Sequence, residues 1–411
     1  MYLAAAADDS PLILLALDLS WWRSVADELE LRRALLQASA LSDDRLIVHV
    51  SHTHAAPSTF RGLADRPGGH LIGAFREQIE RTCVRLISAA RGSARPAILS
   101  WAKGSCHLAF NRQFVSPADG AVVVGLNPAA KADDTLLVGR VADAAGTIYA
   151  TLVNYACHPT SLGGANRLIS PDYVGAMRET IEKETGGVPC VFLHGASGDL
   201  TPRRSFEADV AAAERNGLEI GHAALGVLAS MYPPGIGLEW IGIEESGTKL
   251  AVWRERPFAA NCAVEARQVT VPLAVVDMPS KEELQRAIAD ATQEYVRERL
   301  RRKLGLRETV GDGQASDFRF LVWRLGDAFL VALPAEAHSS FQMQLRSRFP
   351  AQQIAVLNIA NGYLSYVPPR EDYTRNTYQA QVAIYKSGAA ECILSAAGAT
   401  IATLLEPHPP R

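Results

Sequence analysis

The chain has 411 residues, 48% of them apolar and 21% charged, a composition able to build a large hydrophobic core. Its 41 basic and 44 acidic side chains leave a net charge of −3 with no single-sign block, which argues against a nucleic-acid partner or an anionic membrane surface. The longest apolar stretch, residues 11–22, is broken by Asp18 and is too short for a transmembrane segment. Residues 1–10 carry Asp8 and Asp9 where a secretion leader would carry basic residues. The cysteines are scattered with no Cys-x-x-Cys pair, so they read as mostly buried thiols of a reducing compartment, and a cytoplasmic location is expected.

Along the chain, β-rich runs alternate with amphipathic ones. Residues 12–19 are predicted as a strand, 23–41 as a helix, 45–51 as a strand and 71–90 as a helix with Ile72, Phe75, Ile79 and Cys83 at helical spacing. Strands follow at 147–157 and 188–194, then a helix at 207–231. Residues 233–257 read as irregular, with Gly-rich turns, and open a subdomain insertion near 233–310. Beyond lie a strand at 264–275, a charged helix at 280–303 and a hairpin of 318–325 and 329–333 turning at Gly326-Asp327. A helix at 337–348, a strand at 353–359 and a helix at 391–405 complete the pattern. This order predicts one α/β domain over residues 1–411, with a central mixed sheet covered by helices on both faces.

Five apolar strands end abruptly in chemically capable residues: Ser51-His52-Thr53-His54, His158-Pro159-Thr160-Ser161, His194-Gly195-Ala196-Ser197-Gly198-Asp199, Pro334-Ala335-Glu336, and Asn361-Gly362-Tyr363-Leu364-Ser365-Tyr366. Ligands of open α/β sheets bind outside the carboxyl ends of strands, so the site is expected there. At spacing i, i+2 on an extended chain, His52 and His54 would share a face. Such a pair suits a metal, or one ligand beside one catalytic group. Alone, it is more often a pair of hydrogen-bonded structural histidines. Glu336 reads either as a carboxylate at a helix start or as the third member of a His₂Glu metal set. Ser197 falls one position short of the Gly-x-Ser-x-Gly elbow of serine hydrolases.

Taken in order, the motifs resemble the catalytic domain of the neutral/alkaline non-lysosomal ceramidase family. Ser51-His52-Thr53-His54-Ala55-Ala56-Pro57 is similar to the family's Thr-His-Thr-His-Ser-Gly-Pro, and Asn111-Arg112 to its Asn-Arg. Asn154 through Thr160 is similar to its Asn-x-x-x-His-Pro-Thr, and Ile169-Ser170-Pro171-Asp172 to its Ile-Ser-x-Asp. Gly198-Asp199-Leu200-Thr201-Pro202, Pro334-Ala335-Glu336 and Tyr363 through Tyr373 resemble its Gly-Asp-Val-Ser-Pro, Pro-Gly-Glu and tyrosine-rich segments. The resemblance implies a zinc ion (Zn2+) on His52, His158, Glu336 and Tyr366, with His54 and Arg112 facing the substrate carbonyl. With glycine at position 195, where the family has its proposed serine nucleophile, water activated by zinc becomes the expected nucleophile, and His54 or Tyr363 the expected proton donor to the leaving nitrogen. Asp172 and Asp199 would orient or cap.

The chain departs from the family at Gly195, which stands where the family has its proposed serine nucleophile. The family's upstream segment, secretion signal and carboxyl-terminal immunoglobulin-like domain have no counterpart, so the start reads as truncated and ceramide as a less natural substrate. The expected activity is hydrolysis of a linear amide, a carbon–nitrogen bond other than a peptide bond, in a small molecule or N-acyl substrate. Rival readings are a zinc esterase or deacetylase on the same site, a metal-independent serine hydrolase using Ser197 with His194 or His158, and a ligand-binding scaffold without turnover. Homo-oligomer formation is left open.

Overall fold

The structure, a computed structural model, describes residues 1–5 and 11–406; Asp8 and Asp9 lie outside them. The fold is mixed α/β. Its β-structure is divided among separate sheets, where the sequence suggested a single central one. Hydrophobic periodicity marks which strands are buried, but ladder partners are set by contacts distant in sequence.

Three sheets carry the architecture. The first pairs Leu12–Leu17 in parallel with Leu46–Val50. The second orders Ile98–Ser105, Thr135–Ala142, Ile148–Tyr155 and Cys190–His194, the last two parallel. The third orders Val264–Ala274, Ala315–Leu325, Ala328–Leu333 and Gln353–Asn358, again with the last two parallel. Each parallel pair encloses a helix in the chain: Val25–Ser39, Tyr173–Glu184 and Ser339–Arg348 respectively. Parallel pairing requires a crossover of this kind, and the three βαβ units aim six strand ends at one region.

Side-chain alternation separates the cores. Leu321, Trp323 and Leu325 face an interior shared with Leu12, Leu14, Ile47, Leu137, Leu152 and Leu193 of the other two sheets. The intervening Phe318, Phe320 and Val322 pack outward with Phe341 and Leu345 of Ser339–Arg348. In the second sheet Val153 and Tyr155 turn outward onto Tyr173, Met177 and Ile220. In the first, Leu46, Val48 and Val50 turn outward onto Leu31, Leu35, Cys83 and Ile87. A strand buried on both faces is continuously apolar, and period-2 sorting then decides which core each residue joins. Among the described residues, helices thus cover the outer faces.

Several expectations are corrected. Residues 233–257 hold an antiparallel hairpin, Ile236–Glu245 and Lys249–Pro257, with Trp240 opposite Trp253 and a register shift between Trp240 and Gly242; its near-complete exposure removed the alternation that would have revealed it. The charged helix of 280–303 is two helices, Lys281–Asp290 and Glu294–Val310. Four strands between residues 98 and 142 and the helix Tyr173–Glu184 had no expectation. Four of the cysteines are buried, while Cys262 and Cys392 are exposed. Among the described residues no helix is long and apolar enough to cross a membrane.

Candidate metal centre

The strand ends converge because the sheets are stitched together there. Asn154 Nδ2 donates to the carbonyls of Leu193 (2.9 Å) and Val356 (3.0 Å), tying the second sheet to the third. The Asn361 amide donates to the Val48 carbonyl, and His49 bridges to Ala360, tying the third to the first. Backbone strain collects in the same place. His52, Ile359, Asn361 and Ser365 all have φ between 56° and 67°, a region non-glycine residues avoid and β-branched ones most of all. His52 and His54 therefore do not share a face by strand alternation. The strand ends at Val50, and a left-handed residue brings the two rings to a centroid separation of 4.8 Å.

Three imidazoles, His52, His54 and His158, place one nitrogen each within 4.8 Å of one another, a group able to hold a metal ion. His52 and His158 are buried and His54 is exposed. Backbone carbonyls dictate the tautomers of the buried pair, since a carbonyl can only accept. His52 Nδ1 donates to the Ser20 carbonyl at 2.7 Å, and His158 Nδ1 to the Ser197 carbonyl at 2.8 Å. Both Nε2 lone pairs then face Glu336 Oε2, at 3.4 Å from His52 and 2.9 Å from His158. Tyr363 Oη donates to the other carboxylate oxygen at 3.0 Å. Tyr366 Oη lies 3.5 Å from His158 Nε2 and accepts from Arg112 Nη2 at 3.0 Å.

Arg112 is buried and aimed by one carbonyl: its Nε and Nη2 donate to Gly198 O at 3.1 and 2.8 Å, and Gln379 Nε2 donates there too. A Cβ on residue 198 would meet His338 Cδ2 at 2.6 Å, so glycine is what lets this carbonyl approach. At Gly195 an added Cβ would press on the Tyr155–Ala156 backbone at 3.0 Å.

Electrostatics follow the partners. Burial, then Arg112, pushes His158 down to about 3, so this imidazole is neutral. Burial alone would raise Glu336, but positive charge at His52 and His158 would outweigh it and hold the carboxyl well below its usual range. Burial would lower Arg112, yet Tyr366 and Glu336 hold it firmly charged. Tyr366 is raised well above an ordinary phenol by burial and by Glu336. His54 is lowered by the protein mass around its ring and by His52 and His158.

Every residue the sequence nominated as ligand or catalyst (His52, His54, Arg112, His158, Glu336, Tyr363 and Tyr366) lies in this one cluster. Ser197 is fully buried behind His158, its Oγ 2.6 Å from His194 Nε2 and 3.0 Å from His158 Nδ1. Asp172 caps Tyr173–Glu184 and Asp199 accepts from the Ser339 amide and hydroxyl at the start of Ser339–Arg348. Sequence reasoning missed Ser20 and Trp21, which follow the strand Leu12–Leu17. They obey the same strand-end rule, but expecting a longer strand and a helix from residue 23 hid them.

No family model and no curated protein matches this chain. Its fold is that of solved ceramidases. It is similar to a ceramidase complexed with C2, with TM-score 0.68 and 17% identity over 98% of this chain and 70% of that one. It is likewise similar to neutral ceramidase from Pseudomonas aeruginosa, with TM-score 0.65 and 17% identity over 99% of this chain and 69% of that one.

Proposed function

We propose that this chain is a zinc-dependent hydrolase of linear amides. One observation carries the reading. Two imidazole lone pairs, each fixed by a carbonyl behind it, converge on an ionised carboxylate oxygen, and His52 Nε2 is buried with no hydrogen-bond partner among the described residues. Three acceptors face one another with no donor among them, an arrangement that repels itself until a cation enters. Imidazole nitrogen with carboxylate oxygen is the donor chemistry of catalytic zinc.

His52, His158 and Glu336 would hold the ion, with Tyr366 as a fourth ligand whose ionised form a dication favours. Zinc supplies a Lewis acid for the carbonyl and a lowered pKa for water. Arg112, held charged beside Tyr366, stabilises the oxyanion, a role worth about 3 kcal/mol per donor. Among the described residues no hydrogen bond ties a ring nitrogen of His54 to a carbonyl, which leaves that ring free to move protons. Held neutral, it accepts a proton from the attacking water and delivers it to the leaving nitrogen. Tyr363 has its proton committed to Glu336, so it positions that carboxylate. Its earlier expected part as donor passes to His54.

Metal analysis tests the reading. Protein purified without chelator should carry close to one zinc per chain, and His52→Ala should lose both zinc and amide turnover. Wild-type protein with less than about half an equivalent after zinc reconstitution would sink it.

A further inference from the structure

The opening of the site is built by a segment the mechanism leaves unused. Trp21 stands over the cluster, its ring centroid 6.0 Å from that of His52, 5.7 Å from His54 and 6.1 Å from Tyr363. Two guanidiniums also lie near the same ring, Arg23 at 5.2 Å and Arg302 at 5.0 Å from the centroid. Both arginines pair with Glu298, Arg302 Nε at 3.3 Å and Arg23 through Nη1. Two cations thus share the Glu298 carboxylate.

A cavity of about 100 Å³ opens beside His54, walled by Ser20, Trp21, Arg23, Ser58 and Thr59 among others. It has room for several water molecules. That is a small polar space, far below the roughly 300 Å³ at which pockets for larger ligands begin. A long acyl chain would not be enclosed there; a carboxylate would, with a guanidinium, an aromatic edge and hydroxyl-bearing side chains around it. Burial lowers Arg23 from its ordinary range; its partner Glu298 offsets part of that and Arg302 adds to it, a remaining cost that a second, bound anion would offset.

We infer that the substrate carries a carboxylate beside the scissile amide, and that Arg23, backed by Arg302, is the group that recognises it. The substrate class is then short N-acyl amino acids. This rests on the amide-hydrolase reading above. The competing class is a long-chain lipid amide, which would use the exposed Leu168, Ile169 and Phe206 on loops bonded to Ala55 and Thr160.

The test uses the zinc-loaded full chain with N-acetylalanine, with N-ethylacetamide (the same amide without the carboxylate) and with a long-chain N-acylethanolamine. N-Acetylalanine should have the highest kcat/KM, exceeding N-ethylacetamide by about tenfold or more, the value of one charge-assisted hydrogen bond. Arg23→Gln should erase that ratio mainly through KM, while Arg23→Lys should keep part of it. Equal rates for the first two, or preference for the long-chain amide, overturns the inference and leaves the hydrolase reading intact. If no amide is turned over, the hydrolase reading fails. Calorimetric binding of N-acetylalanine, weakened by about tenfold in Arg23→Gln, would still support the anion pocket, and absence of binding would refute it.

Discussion

Two glutamates of this protein are equally hidden and behave oppositely. Glu336 is 1% exposed and Glu28 is 3% exposed. Glu336 is held well below its usual range by positive charge at His52 and His158, the charge that a cation bound between the neutral rings would supply. Glu28, on the helix Val25–Ser39, is pushed up to about 7 by burial that its neighbour Arg32 does not offset. Arg32 is occupied elsewhere, with Nε on Asp43 at 2.8 Å and Nη1 on the Leu46 carbonyl. Glu28 Oε1 has no hydrogen-bond partner among the described residues. Burial by itself therefore does not mark a site. What marks it is whether the surrounding groups stabilise the charge.

The largest effect expected from this contrast is at the metal cluster. Glu336→Gln keeps the shape and removes the charge that draws a cation between His52 and His158. Zinc affinity measured by competition with a chelator should fall by more than ~100-fold, the upper end of what outer partners of a metal ligand usually contribute. Unchanged zinc affinity would mean that the carboxylate is structural, like Glu28.

Ser197 sharpens the comparison from behind His158. As an aligning group, Ser197→Ala should weaken zinc binding by about 10- to 100-fold and leave residual turnover that excess zinc restores. Complete loss of turnover at full zinc occupancy would instead identify the serine as a nucleophile, against its burial.

Glu28 should give the smallest effect, and one visible only in stability. Its folded value, about 7, lies above the ordinary 4.5. The stabilisation from binding its proton is complete below pH ~4.5 and is lost as the pH rises through ~7. Glu28→Gln should accordingly be more stable than the wild type at pH 8 by about 1–2 kcal/mol, with the gain vanishing toward pH 4.5. Denaturant curves at the two pH values check it, and a gain independent of pH would show that the charge of Glu28 is solvated.

How much of this was legible from residues alone varies by element. The strands Leu46–Val50 and Gln353–Asn358 and the hairpin Ala315–Leu325/Ala328–Leu333 announce themselves, because strands buried on both faces are apolar throughout and turns need particular residues. The hairpin Ile236–Glu245/Lys249–Pro257 does not, since exposed strands lose the burial pattern that reveals them. The ligand candidates were readable because each follows an apolar strand. Trp21 and Arg23 were not singled out, because their part in the site depends on Glu294–Val310 bringing Arg302 and Glu298 alongside.

The sequence by itself determined the α/β class and the strand ends that carry the chemistry, for both are local properties of pattern and composition. Only the tertiary structure decided that the strands form separate sheets around a shared interior, that six ends meet, and which nitrogen of each buried histidine faces Glu336. Those outcomes depend on ladder partners and backbone carbonyls supplied from far along the chain. The carbonyls of Ser20 and Ser197, 32 and 39 residues from the rings they hold, turn two histidines into a metal-facing pair.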